Sequence, residues 1–326
     1  MMSNQSIKCL IALLGLLTSE FSHAVKNDPW EWIGSANFSF DSYLKSDTLH
    51  GQFEISFFLD AIHLENAGGG IGYVYQNQGI SSKDDIVNHI MYYNGWFSRY
   101  PEFLPGKVNF ALNYYSGSES TAGSGNNAPG NTGQNKPSPI TTTNTFTDSL
   151  EIINPVISFI NYSKTFYMDI GYAKSEYKTS DTIVGNLNVT QWSPAIGFSL
   201  NNQYDWIQLR QYNIELSNSI RTPGTDSTLA RSLSWTHWLK KDHDETLDNI
   251  SLILLSGERL YAVDHDARKI FNLSDMQTGS YIVGANWKEK TDIDYYIYGG
   301  YEKYRDVAGN DNYNSLFIYT GIKSRW

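Results

Sequence analysis

The chain has one cysteine, Cys9, among 326 residues, and that residue lies in a segment expected to be removed on export. The mature protein is therefore expected to carry no disulfide and no cysteine metal site. Small exported domains usually depend on such staples, so stability has to come from elsewhere. Long apolar runs are also missing. Beyond the first two dozen residues, none approaches the ~18 residues of a membrane-spanning helix, and sustained helical periodicity is absent as well. Clustered positive charge is the third absence. With 24 Lys and Arg against 34 Asp and Glu, the net charge is −10, which excludes a nucleic-acid partner.

The N-terminus has the layout of a secretory signal peptide: Lys8, then the apolar stretch Leu10–Leu17, then the small-x-small triplet Ser22-His23-Ala24. Cleavage is expected after Ala24, leaving 25–326 as a single domain. Cys9 precedes the apolar stretch, whereas a lipoprotein cysteine would follow it, so no lipid anchor is expected. Removing the segment takes away Lys8 and Glu20 and leaves the net charge unchanged.

What is present is an unusual pairing. The mean hydropathy of −0.40 is that of a soluble protein, yet aromatics reach 14%, with 23 Tyr and 9 Trp. A transmembrane β-barrel reconciles the two, because only alternate strand residues face lipid and aromatic girdles mark both interfaces. The alternation is visible. Phe53, Ile55, Phe57 and Leu59 oppose Gln52, Glu54 and Asp60; Val108, Phe110, Leu112 and Tyr114 oppose Lys107, Asn109 and Asn113. Tyr281, Val283, Ala285 and Trp287 form a third such set, and Ile293, Tyr295, Ile297 and Tyr301 a fourth.

About fourteen such segments are expected, near 32–43, 49–62, 69–77, 85–98, 107–116, 144–160, 166–178, 188–200, 205–218, 228–240, 247–259, 277–288, 293–304 and 314–326. The fold class is thus all-β, an up-and-down antiparallel barrel. Long connections, including Ser116–Thr143, Arg221–Asp226 and Leu260–Asp275, alternate with short ones such as Tyr162–Lys164. That is the asymmetry of external loops and periplasmic turns, with both chain ends on the short-turn side. Ser116–Thr143 is low in complexity and reads as a disordered surface loop, or as a segment folding into the mouth.

Three places resist this scheme. Pro155 and Pro194 fall inside strands that have no free edge, so each calls for a bulge or an early strand end. The ninth segment switches parity: Ile207 and Leu209 lie on one face, Tyr212, Ile214 and Leu216 on the other. A bulge near Gln211 is the expected remedy.

The chain ends Leu316-Phe-Ile-Tyr-Thr-Gly-Ile-Lys-Ser-Arg-Trp326. Leu316, Ile318, Ile322 and Trp326 on one face resemble the C-terminal strand of bacterial outer-membrane proteins, although Thr320 and Ser324 stand where apolar residues are usual. The resemblance implies that Ile318, Ile322 and Trp326 form the signal for the barrel-assembly machinery. Size and segment count look like the porin-like class of monomeric fourteen-stranded channels, at the level of architecture only. Outer-membrane lipid and lipopolysaccharide are then the implied surroundings.

On that architecture Glu54, Asp60, Lys107, Arg210, Asp294, Glu302 and Lys323 face the lumen, and opposed charges across a pore set ion selectivity. The expected function is a channel for small hydrophilic solutes or oligosaccharides. A non-conducting barrel anchoring surface loops is the alternative, and a barrel-embedded hydrolase the third reading. Tyr296, Tyr298 and Tyr319 read either as a stacking track for sugars or as girdle residues. Trp32, Trp96, Trp235, Trp238 and Trp287 read as girdle residues. For an enzyme, His89 and His237 lie within strands but in no recognisable motif, so no catalytic residue and no cofactor is expected. Asp242-His243-Asp244 and Asp264-His265-Asp266 repeat a triplet of metal-ligand types. Placed at opposite ends of the barrel they read as solvated turns, with no metal.

Overall fold

A computed structural model describes residues 29–46, 49–80, 85–122, 147–179, 185–200, 203–218, 220–222, 224–239, 247–271, 275–288, 292–305 and 312–326. The expected signal peptide, the Asp242–Asp244 triplet and most of the Ser116–Thr143 loop lie outside these residues. The strands are β1 (Trp30–Leu44), β2 (Leu49–His63), β3 (Ala67–Ile80), β4 (Asp85–Arg99), β5 (Gly106–Ala122), β6 (Thr147–Asn161), β7 (Phe166–Thr179) and β8 (Leu187–Leu200). They continue as β9 (Asp205–Leu216), β10 (Ser227–Trp238), β11 (Leu247–Arg259), β14 (Met276–Lys288), β15 (Ile293–Arg305) and β16 (Asn312–Arg325). Between β11 and β14 sits a two-stranded hairpin, β12 (Val263–Asp264) with β13 (Lys269–Ile270).

The fourteen long strands close into an up-and-down antiparallel barrel in which β1 pairs with β16. Closure is completed at the last residue, where Trp32 and Trp326 exchange backbone hydrogen bonds of 2.9 and 3.0 Å. Closure leaves no strand of the barrel with a free edge, which is how a β-structure satisfies its backbone at membrane depth. Because side chains alternate, each strand has an outward and an inward set. Phe40, Ile71, Phe97, Leu112, Ile157, Ile170, Leu209 and Val283 belong to the outward, exposed set. Asn37, Ser56, Gln76, Asn113, Asp169 and Ser193 belong to the buried inward set. An apolar outside around a polar inside is the reverse of a soluble barrel and fits a barrel set in lipid.

The prolines need no bulge, contrary to the sequence expectation. Pro155 stands opposite Leu112 in the β5 ladder, and β6 keeps one register with β7 from Ile153↔Lys174 to Val156↔Gly171. Asn154 donates from its side-chain amide to the Tyr172 carbonyl at 3.0 Å, supplying the bond for which Pro155 has no N–H. Pro194 pairs with Ile170, and the β8–β9 register is the same before and after it. Gln211 lies in an unbroken ladder with β10, so the expected bulge there is absent too. The parity switch has a different cause: Tyr212, Ile214 and Leu216 are inward residues that are apolar, and all three are buried. Trp96, expected in the girdle, shares its parity with buried Tyr92 and lies inward, with the Lys107 ammonium 5.9 Å from its ring.

Real register shifts occur elsewhere, on β11 between Ser256 and Arg259 and on β14 between Gln277 and Gly279. Gly257 adopts φ +100° at the first, and a Cβ there would stand 2.4 Å from the Leu229 carbonyl oxygen. Only glycine tolerates that conformation in that space. The bulge redirects the chain at the point where it leaves the wall, and the segment Leu260–Phe271 turns into the barrel instead of out into solvent.

Candidate functional site

The inward connection is seated by apolar packing first. Leu260, Tyr261, Ala262, Val263 and Ile270 are buried, and the wall opposite them is Tyr115, Ile152, Tyr177, Leu187, Val189, Tyr212 and Ile214. Those wall residues are inward positions that water would otherwise cover, so the loop supplies the burial that their composition demands. Gln191 fixes the depth of insertion. Its side chain donates to the Val263 carbonyl at 2.7 Å and accepts from the Val263 N–H at 2.9 Å. Phe271 N–H donates to the Ala262 carbonyl at 2.8 Å, holding the hairpin closed at its base.

Charge then fixes the tip. Arg210 on β9 grips both oxygens of Asp169 on β7, Nη1 to Oδ1 at 2.9 Å and Nη2 to Oδ2 at 2.7 Å. The same Nη2 donates to Oδ2 of Asp266 on the loop at 2.7 Å. Gln208 also donates to that Asp266 oxygen, at 3.1 Å. Arg210 and Asp169 have side chains only 3% and 0% exposed, a desolvated pair whose charges are tolerable only together. Asp264 accepts from the Tyr212 hydroxyl at 2.9 Å and from the backbone N–H groups of Asp266 and Ala267, both at 3.2 Å. Burial pushes its carboxyl up, but Arg210, Arg259, His265 and the Ala267 N–H outweigh that and hold it below the usual carboxylate range. The Arg259 guanidinium lies 3.5 Å over the Phe271 ring and donates to Gln277 at 2.8 Å.

On the other side of the tip, Arg268 donates to Asp60 on β2 at 2.9 Å. Lys269 faces Glu54, Asp41 and Glu302. Burial pulls its ammonium down, and those three carboxylates together hold it above the ordinary lysine value. The space between Lys269, Asp41 and Glu302 is about 30 Å³, room for a water or two, since one bound water needs at least ~10–15 Å³. Loop and wall are therefore in contact on both sides of the lumen.

The seven lumen candidates divide into two groups. Glu54, Asp60, Arg210 and Glu302 gather round the inward loop. Glu54 also accepts from Gln76 at 2.7 Å, and Glu302 accepts from Gln277 at 2.8 Å and from Tyr304 at 2.5 Å. Lys107, Asp294 and Lys323 lie toward the short-turn end. Lys107 donates to the Glu65 carbonyl in the β2–β3 turn at 2.9 Å, and Asp294 accepts from Arg325 at 3.3 Å and stands opposite Lys323 in register. Tyr296, Tyr298 and Tyr319 form one inward cluster, with Tyr296 stacked on Tyr319 at 5.7 Å and donating to Asn37. Ile318 and Ile322 lie on the outward face of β16. Both histidines weighed for catalysis sit on outward parities: His89 bonds Tyr73 at 2.7 Å and His237 bonds Asp205 at 2.8 Å.

The reading of Asp264-His265-Asp266 as a solvated external turn is corrected by the inward course of the loop. The His265 side chain is 7% exposed and lies against the barrel wall. Asp169, Arg268 and Lys269 were not singled out in the sequence either. A signal existed for the loop's position, in the apolar inward triplet Tyr212, Ile214 and Leu216, which needs a cover.

No family model matches the chain, and no curated protein matches its sequence. Solved structures do. The toluene transporter TodX of Pseudomonas putida aligns over 91% of this chain and 89% of its own, with a TM-score of 0.50 at 7% identity. A FadL homologue of Pseudomonas aeruginosa aligns over 92% and 90%, with a TM-score of 0.46 at 9% identity. OccK7 of the same organism covers 92% and 99%, at 0.40 and 7%. At such identities the likeness is one of fold, that of outer-membrane β-barrels.

Proposed function

We propose that the chain is an outer-membrane channel for small hydrophilic solutes, obstructed from the long-loop end by the inward segment Leu260–Phe271. The observation that carries this reading is the contrast along the lumen. An apolar and ion-paired seat holds the loop, while Asn37, Ser56, Asn286, Tyr298 and Lys323 give the rest of the wall polar groups. A wall of hydroxyls, amides and charges suits water and hydrophilic cargo. Toluene, named for TodX, is a poor chemical match to it. Cleavage after Ala24, recognition of Ile318, Ile322 and Trp326 by the assembly machinery, and contact with lipopolysaccharide belong to the same reading.

The experiment is solute-dependent swelling of proteoliposomes, comparing arabinose-sized sugars with trisaccharides. Faster swelling with the smaller sugar supports a narrow hydrophilic path, and no swelling with either contradicts it. The completeness of the apolar seat at Ala262 and Val263 favours one second reading, a closed barrel that anchors surface loops. Under that reading neither the protein nor a variant with the loop shortened admits solute.

A further inference from the structure

We infer that Asp169, His265 and Asp266 form a binding site for a divalent transition-metal ion of the zinc type, which would staple the inward loop to the barrel wall. The His265 Nε2 atom stands 3.5 Å from Asp169 Oδ1 and 3.5 Å from Asp266 Oδ1. These separations exceed the 2.7–3.2 Å of an N–H···O hydrogen bond, and Nε2 is buried with no hydrogen-bond partner. They match the edges of a tetrahedron about a zinc ion, ~3.4 Å for ligands ~2.1 Å from the metal. One ligand atom from each of the three residues lies within 4.8 Å of the others. Two carboxylate oxygens and an imidazole nitrogen are a donor set for such ions, and a water completes four-coordination.

The surroundings are built around this geometry. Arg210 holds Oδ2 of both carboxylates through Nη2, each at 2.7 Å, and donates from Nη1 to Asp169 Oδ1 at 2.9 Å, which fixes both carboxylates with their Oδ1 atoms 3.5 Å from His265 Nε2. Gln208 adds a second bond to Asp266 Oδ2. Partners of this kind outside the ligand set orient metal ligands. The imidazole itself rests on Gly171, where a Cβ would stand 3.0 Å from Cε1 and 3.1 Å from Nδ1 of His265. The two acids carry two negative charges against the one positive charge of Arg210, so an incoming dication meets a net negative site. Asp169 comes from the wall and the other two ligands from the loop, so occupancy and docking are thermodynamically linked. The effect on passage rests on the channel reading, whereas metal occupancy does not.

The test is titration of the metal-stripped full-length barrel in detergent with Co²⁺, followed by displacement with Zn²⁺. The wild type is expected to take up one equivalent and show the visible absorption of four-coordinate cobalt, lost on adding zinc. His265→Gln and Asp266→Asn should each weaken cobalt binding by more than the roughly 10–100-fold typical for loss of a partner outside the ligand set. Their heat-modifiable migration on gels reports that the barrel still folds. A wild type with no cobalt absorption, or a folded His265→Gln variant that keeps it, overturns the site. A silent bilayer recording alongside an intact cobalt spectrum overturns the channel reading and leaves the site standing.

Discussion

Arg268 donates from Nη1 to Oδ2 of Asp60 at 2.9 Å, joining the inward loop to a strand residue 208 positions earlier in the chain. The guanidinium also lies 5.3 Å from the Phe58 ring and 5.4 Å from the Tyr92 ring. One side chain therefore ties the loop tip to β2 and β4, on the side of the lumen away from Arg210. Hydrogen bonds to charged groups contribute roughly 1.5–3 kcal/mol each, enough to bias a loop between docked and released positions.

Arg268→Ala is expected to loosen that side of the loop and raise single-channel conductance or open probability in planar bilayers. Arg268→Lys keeps the charge but loses the guanidinium's contacts with the Phe58 and Tyr92 rings, so its conductance should fall between those of the wild type and Arg268→Ala. Conductance traces for Arg268→Ala that match the wild type would remove Arg268 from the obstruction.

Asn154 and Pro155 make a separable pair. Removing the Asn154 amide leaves the Tyr172 carbonyl without the bond it accepts at 3.0 Å, at a cost of about 1–3 kcal/mol. Asn154→Ala should lower the urea midpoint of the detergent-solubilised barrel. Pro155→Ala restores a backbone N–H, so the double variant should recover part of the loss. Additive losses in the two single variants and the double would contradict the substitution of one bond for the other.

Most of the barrel was legible in the sequence because an apolar outside and a mostly polar inside impose a two-residue period on its strands. The Phe53–Leu59 and Val108–Tyr114 sets lie outward as their alternation requires. Pro155 looks like a strand break in the sequence because the Asn154 side chain stands in for the missing backbone donor, which no periodicity reveals. Tyr212, Ile214 and Leu216 looked like a bulge because an apolar residue was assumed to face lipid; here the inserted loop is their apolar partner. The candidate site was half visible. Glu54, Asp60, Arg210 and Glu302 follow from parity, but their partners Lys269, Arg268 and Asp266 sit in a loop without period, and only tertiary packing brings them in.

Acid should release the loop in a defined window. Asp264 is held below its unfolded value in the folded protein, so its contribution is fully present above the unfolded carboxylate pKa of about 3.9. It is lost as pH falls through the lower folded value. Conductance is therefore expected to stay constant from neutral pH to about 4 and to rise below that. Asp264→Asn should flatten the rise. A transition centred near neutrality would assign the release to another group.

The outward face can be probed without touching the lumen. Leu112 is half exposed on the outer surface of β5. An arginine at a mid-membrane outward position costs about 2–4 kcal/mol in a lipid-embedded barrel. Leu112→Arg should lower the unfolding free energy in lipid vesicles by that order. An unchanged value would place Leu112 outside the hydrocarbon layer.

The most direct measurement compares single-channel conductance of the wild type with a variant in which residues 262–270 are replaced by a short Gly-Ser link. If the inward loop obstructs an otherwise open hydrophilic lumen, the wild type gives small or rare openings and the variant gives large, stable steps, with unchanged heat-modifiable migration. Equal conductance in the two proteins, whether both open or both silent, contradicts the account.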